Sequence, residues 1–164
     1  LPELALQQAQ NLAQQKRIDG YVFTLDFPSY LPFVSYVEDR ELRQEIAIAA
    51  GKKAFQQNEF NNEKNVQQIV ALRHERARLL GYESHAAFVL EERMAQNPDQ
   101  VKQFLNTIYD KAMEKAHREF IDLQNFAQES DSLLQLQKWD GTFYSEKLKQ
   151  RLFAIDDEAL KPYF

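Results

Sequence analysis

Apolar positions along this chain recur every three to four residues, with almost no strict alternation, so the pattern predicts helices nearly throughout. Leu4, Ala5, Leu12 and Ala13 fall near one helical face over residues 3–18, and Gly20 stands past its C-terminus. Tyr21-Val22-Phe23-Thr24-Leu25 breaks the rhythm with β-branched and aromatic residues. It predicts one short strand, and since a single strand makes no sheet, its partner is expected outside this chain. After a proline-punctuated connection, Ser29 is expected to cap a short helix with Phe33, Val34 and Val37 on one face. Asp39 is the expected N-cap of the next, which carries Leu42, Ile46, Ala49 and Ala50 and gives way to an asparagine-rich loop at 58–62.

A helix from about Asn62 to Leu80 follows, closed by Gly81. Ser84 should cap another, with Phe88, Val89 and Met94 behind it, ending near Asn97. Pro98 suits the first position of the longest helix, where its missing N–H is harmless. That helix should reach about Gln128, since Val101, Phe104, Leu105, Ile108, Ala112, Ala116, Phe120 and Leu123 keep the period. At about 1.5 Å per residue it would measure roughly 45 Å, a span suited to a larger body. Beyond a polar break come Trp139-Asp140-Gly141-Thr142-Phe143-Tyr144, a helix over 142–152, and a last turn at Asp156-Asp157-Glu158 before Pro162. The predicted fold class is all-α, a multi-helix array with one long helix at about 98–128. No repeat, low-complexity tract or linker divides residues 1–164, and both ends look cut from a longer chain.

Composition agrees and narrows the function classes. Four glycines and five prolines leave few turns, and helix-forming Ala, Leu, Gln, Glu and Lys dominate. The net charge of −5 comes from acidic and basic residues interspersed on the same segments, with no basic block to serve as a nucleic-acid footprint. No apolar run of about 18 residues exists, so no membrane span is expected. With no cysteine, disulfides, thiolate metal sites and thiol nucleophiles are excluded. A cytoplasmic location is expected, and a periplasmic one fits equally well.

Candidate chemistry is sparse. His74-Glu75 begins the zinc-peptidase pattern His-Glu-x-x-His, but Arg78 stands where the second imidazole belongs. A guanidinium stays protonated and repels a metal, so Arg73, Glu75, Arg76 and Arg78 read as charges on the polar side of a scaffold helix. His85 and His117 share no i, i+3 or i+4 relation with His74 or with each other. Glu114 and His117 have the Glu-x-x-His spacing of carboxylate-bridged metal sites, which need two such pairs. Phosphate loops and the Gly-x-Ser-x-Gly elbow are missing. Trp139, Asp140 and Tyr144 form an aromatic–acidic knot that could line a peptide-binding surface, although such knots are commoner in cores. No catalytic residue and no metal ligand is assigned in this chain, and no substrate-binding residue can be named.

Several words in fixed order nonetheless carry a resemblance. Leu72-Arg73, Glu75, Ala77, Leu79-Leu80-Gly81-Tyr82 and Ser84 are followed by Met94-Ala95, Trp139-Asp140, Phe143-Tyr144 and Leu160-Lys161-Pro162-Tyr163-Phe164. Together they resemble the thimet-oligopeptidase-type zinc metallopeptidases, with wording nearest the bacterial peptidyl-dipeptidases (dipeptidyl carboxypeptidases). Tyr21–Pro28 and the Arg40–Asn65 region fit more loosely. The resemblance implies a piece of a large, two-lobed helical peptidase that uses zinc to release C-terminal dipeptides from oligopeptides. Its His-Glu-x-x-His helix and further Glu ligand would lie beyond Phe164, and this chain would supply part of the cleft wall. One departure is Gly141-Thr142, where the family has a bulky residue after Trp-Asp, so looser packing is expected there. The other reading is a non-catalytic helical interaction module. On either reading, apolar helix faces left uncovered could drive self-association.

Overall fold

A computed structural model describes residues 1–154 of the chain and consists of helices joined by short connections. In order they are α1 (Glu3–Lys16), α2 (Phe27–Tyr36), α3 (Arg40–Gly51), α4 (Glu63–Leu79), α5 (His85–Leu90), α6 (Pro98–Asp131) and α7 (Gly141–Phe153). The all-α expectation holds. The turn expected at Asp156-Asp157-Glu158 lies outside the described residues. Two compact units divide the chain: Leu1–Lys52 with Glu119–Phe164, and Lys53–Arg118.

In the first unit, α1 ends earlier than Gly20 implies. Arg17 takes the left-handed conformation at φ 57°, and the N–H groups of Arg17 and Ile18 close onto Gln14 O and Ala13 O at 3.0 and 2.9 Å. The expected strand at Tyr21–Leu25 is absent. No second strand exists among the described residues, and local acceptors take its alternate amides: Val22 N–H donates to Ala9 O at 3.1 Å and Thr24 N–H to Ser29 Oγ at 2.9 Å. The Ser29 hydroxyl is therefore engaged upstream, and it is not the cap of α2. That helix begins three residues earlier, behind Asp26, because Pro28 in its first turn brings a φ already suited to a helix. Asp39 does cap α3, its Oδ1 accepting from the N–H groups of Glu41 and Leu42 at 2.9 and 3.1 Å.

The core of this unit gathers Phe126, Ala127, Leu136, Phe143 and Tyr144, with Leu123, Leu133 and Leu148 packed against it. Phe126 and Phe143 both meet Tyr144 edge-on, with centroids 6.3 and 5.2 Å away. Gln124 threads the connection between α6 and α7. Its amide donates to Leu133 O at 3.0 Å, while its Oε1 accepts from Leu136 N–H at 2.8 Å. At Gly141 an added Cβ would meet nothing within 4 Å, so the departure from the family wording leaves open space beside a knot that is packed regardless.

In the second unit, α4 fits its predicted bounds and closes as its sequence demands. Gly81 at φ 87° lets Tyr82 N–H reach Ala77 O at 2.9 Å and Gly81 N–H reach Arg78 O at 3.1 Å, the paired bonds of a Schellman cap. Ser84 caps α5 through Ala87 N–H at 3.1 Å. That helix stops at Leu90, well short of Asn97, because Gln96 enters the left-handed region at φ 61° and the chain turns from Arg93 to Asn97. Met94, expected behind the helix, is fully exposed. Pro98 opens α6 as expected; the helix belongs to this unit as far as Arg118 and to the first unit from Glu119, and at 34 residues it ends three past Gln128. Ala77 is the one buried residue of α4, and Val66, Ile69, Val70, Phe104, Leu105 and Ile108 are all exposed.

Candidate functional site

The three histidines do not converge on a metal. His74 lies exposed on α4 with Arg78 one turn on, and His117 lies exposed on α6. Beside it, Glu114 faces Arg118 at 3.8 Å on the same helix. His85 tilts against Phe88 with centroids 6.4 Å apart, and its Nδ1 is enclosed without a hydrogen-bond partner. Among the described residues no group of three His, Asp or Glu side chains could hold a metal ion. Near the same helix, Arg76 lies 5.0 Å over the Phe88 ring, and Tyr82 donates its hydroxyl hydrogen bond to Glu91. That bond, with the negative charge of Glu91 and Glu92 nearby, raises the Tyr82 pKa.

The densest polar construction stands at Trp139-Asp140, in the first unit. Asp140 is completely buried, and four donors reach its carboxylate. Arg40 approaches side-on, Nε to Oδ1 at 3.0 Å and Nη2 to Oδ2 at 2.8 Å, and Arg43 adds Nη2 to Oδ1 at 3.2 Å. Gln137 N–H donates to Oδ2 at 2.9 Å, tying the turn before α7 into the same cluster. Burial pushes the Asp140 pKa up, but the bonds from Arg40, Gln137 N–H and Arg43 outweigh it and hold the carboxyl below its ordinary value. The same bond raises Arg40.

Arg43 is the deeper cation, 1% exposed against 40% for the Arg40 side chain. Its Nη1 donates to Val37 O at 2.8 Å and Glu38 O at 3.0 Å, so one guanidinium satisfies carbonyls after α2 as well as the carboxylate before α7. The same group lies 3.8 Å over the Phe143 ring, where Lys147 Nζ also approaches at 4.4 Å. Arg40 lies 5.7 Å over Trp139, whose Nε1 is shielded and unpartnered. The core reading of the knot therefore holds for Asp140 and Tyr144, while Trp139 is only half-buried. The cluster is filled by its own counter-charges and leaves no free base or nucleophile, so its work is to pin α3 to the start of α7. Arg40 and Arg43 were missed as its partners. Their one local signal is the Arg-x-x-Arg spacing behind the Asp39 cap, which places both on one helical face.

Tyr144 closes the back of the knot. Burial, and a hydrogen bond to the Asp131 carboxylate, push its pKa up to about 12. A phenol raised in the folded state favours folding fully below its unfolded pKa of about 10 and loses that contribution as pH rises toward 12. Between pH 10 and 12 the chain should lose about 2–3 kcal/mol through this group. Urea midpoints across that range check it. The decline should flatten in Tyr144→Phe, and an equally steep decline there would assign the loss to other groups.

With this geometry in place, known proteins decide what the segment is. The model for peptidase family M3 matches residues 33–164. Oligopeptidase A of Haemophilus influenzae is 42% identical over 168 aligned residues, covering all of this chain. The chain belongs to peptidase family M3. Oligopeptidase A of Escherichia coli is likewise 42% identical across the whole chain, and the dipeptidyl carboxypeptidase of Escherichia coli is 28% identical across 99% of it. The resemblance to thimet-oligopeptidase-type enzymes is thus correct at the level of the family, while the oligopeptidase A relatives match more closely than the dipeptidyl carboxypeptidase. The chain spans about a quarter of the length of these curated relatives. Both parts of the knot fall inside the family match, Arg40 and Arg43 of α3 and Trp139-Asp140 before α7. The residues present do not fit the zinc that the family implies: the cation of Arg78 occupies the second ligand position, and no ligand cluster forms elsewhere among the described residues. No helix among the described residues is long and apolar enough to cross a membrane.

Proposed function

We propose that this chain is a scaffold segment of an M3 zinc metallopeptidase that cleaves oligopeptides, and that it forms part of the helical wall of the substrate cleft. The observation that carries the reading is identity of 42% to oligopeptidase A along the entire chain, together with the family match over residues 33–164. The Arg40–Arg43–Asp140 cluster supports a scaffold role, since its charges are spent on each other and on backbone carbonyls. Zinc and the groups that activate water would come from outside these residues. Cleavage within oligopeptides is favoured by the closer oligopeptidase A relatives. Release of C-terminal dipeptides is the second reading, favoured by the dipeptidyl carboxypeptidase relative and by the sequence wording.

Two measurements test this. The 164-residue chain alone should hold no stoichiometric zinc after dialysis and should leave peptides intact; one tight zinc per chain by metal analysis would overturn the scaffold reading. For the complete protein, mass spectrometry of products from a blocked decapeptide separates internal fragments from successive C-terminal dipeptides. No cleavage at all would leave the interaction-module reading in its place.

A further inference from the structure

We propose that Asp19-Gly20 is a site of spontaneous isoaspartate formation that slowly releases the connection after α1, an inference independent of the peptidase reading. The chain holds two Asp-Gly pairs and no Asn-Gly. In such pairs the missing side chain of glycine lets its backbone nitrogen reach the carboxyl carbon of the residue before it. The structure sets the two in opposite surroundings. Asp19 and Gly20 are exposed in a bend, and no hydrogen bond holds the Asp19 carboxylate or the Gly20 N–H among the described residues. Gly20 sits at φ 96°, and a Cβ added there would meet nothing within 4 Å, so no neighbour bars a ring from closing. Asp140, before Gly141, is completely buried with four donors on its carboxylate, and its own carbonyl accepts from Tyr144 N–H at 3.0 Å. That carboxyl cannot turn toward the Gly141 nitrogen without parting from both arginines.

Both reacting atoms belong to neighbouring residues, so the chemistry needs no entering ligand and balances without a co-reactant. The Gly20 nitrogen gives up its proton and attacks Cγ of Asp19, and one carboxyl oxygen departs as water, closing a five-membered succinimide. Water then opens the ring. Attack at Cγ restores aspartate. Attack at the main-chain carbonyl carbon of Asp19 breaks its bond to nitrogen and leaves the chain running through Cβ and Cγ. The product has the same mass, one more main-chain atom and a carboxylate on its α-carbon. The position matters because the connection is tied at both ends to the buried alanines of α1. Ile18 N–H bonds Ala13 O at 2.9 Å, and Val22 N–H bonds Ala9 O at 3.1 Å. Asp19, Gly20 and Tyr21 alone bridge those ties. An added atom in so short a span should shift Val22 against α1 and weaken its bond.

The test ages the complete protein in neutral buffer for weeks and maps its peptides by electron-based fragmentation, which separates isoaspartate from aspartate. Isoaspartate should accumulate at position 19 and stay at least about tenfold lower at 140, where reaction must await local opening. In urea-unfolded protein the two yields should approach each other. Amide exchange at Val22 should quicken as the converted fraction grows. It should stay unchanged in aged Asp19→Glu, whose longer side chain would need a slower six-membered closure. Equal yields at 19 and 140 in the folded protein, or no isoaspartate at 19, would overturn the proposal. Val22 exchange unmoved by conversion at 19 would overturn the release of the connection. Faster Val22 exchange in aged Asp19→Glu as well would assign the loosening to other damage and count against the proposal.

Discussion

Replacing Asp140 with alanine should lower the unfolding free energy by about 3–5 kcal/mol, because it leaves Arg43 buried with no counter-charge and strands the Gln137 N–H. Asp140→Asn, which keeps the shape and removes the charge, should recover only a small part. Urea unfolding followed by far-ultraviolet circular dichroism gives the values. A loss under 1 kcal/mol for the alanine variant would mean that the guanidinium groups find water or other acceptors once the carboxylate is gone. The pH dependence has a definite sign. The folded carboxyl titrates below its unfolded value, so its contribution is fully present above pH 5, begins to fall near the unfolded pKa of about 4, and vanishes as pH drops through the folded one. Asp140→Asn should lack that acid limb.

The second large effect belongs to Arg43. Arg43→Ala removes bonds to the carbonyls of Val37 and Glu38, the contact with Asp140 and the packing on Phe143, and should cost about 2–4 kcal/mol. Arg43→Lys should rescue little, since an ammonium cannot serve carbonyls and carboxylate in separate directions from one plane. Arg40→Ala, at a side chain 40% exposed, should cost about 1 kcal/mol. The ranking is the test: equal losses at positions 40 and 43 would show that bidentate geometry, and not burial, sets the energetics. A cycle with Asp140→Asn then separates pairing from packing.

Why these two positions were hard to find is a matter of distance along the chain. Asp39, Ser84, Pro98 and Gly81 announce helix ends because capping is chemistry among neighbours two to five residues apart, and all four act as their residue types imply. The bond from Arg40 to Asp140 joins residues 100 positions apart, and no local rhythm records it. Trp139-Asp140 could be recognised as a dense knot, yet its counter-charges could not be named. Two other misses share a cause. With only four glycines in the chain, Arg17, Gln96 and Ser132 take left-handed conformations themselves, so the end of α1 and the turn after α5 lacked the residue that normally marks them. The strand expected at Tyr21–Leu25 was a misreading: β-branched and aromatic composition records a preference, not a pairing, and among the described residues the amides of Val22 and Thr24 bond to Ala9 O and Ser29 Oγ instead.

Trp139 is the only indole in the chain, and its ring lies 5.7 Å from the Arg40 guanidinium that is bonded to the buried Asp140 carboxylate. Its Nε1 is shut off from solvent, so its emission should lie to the blue of a hydrated indole while the cluster is closed. Anything that parts α3 from the start of α7 lets water reach that ring and shifts the colour of the light it gives back. The fastening of this scaffold carries its own lamp.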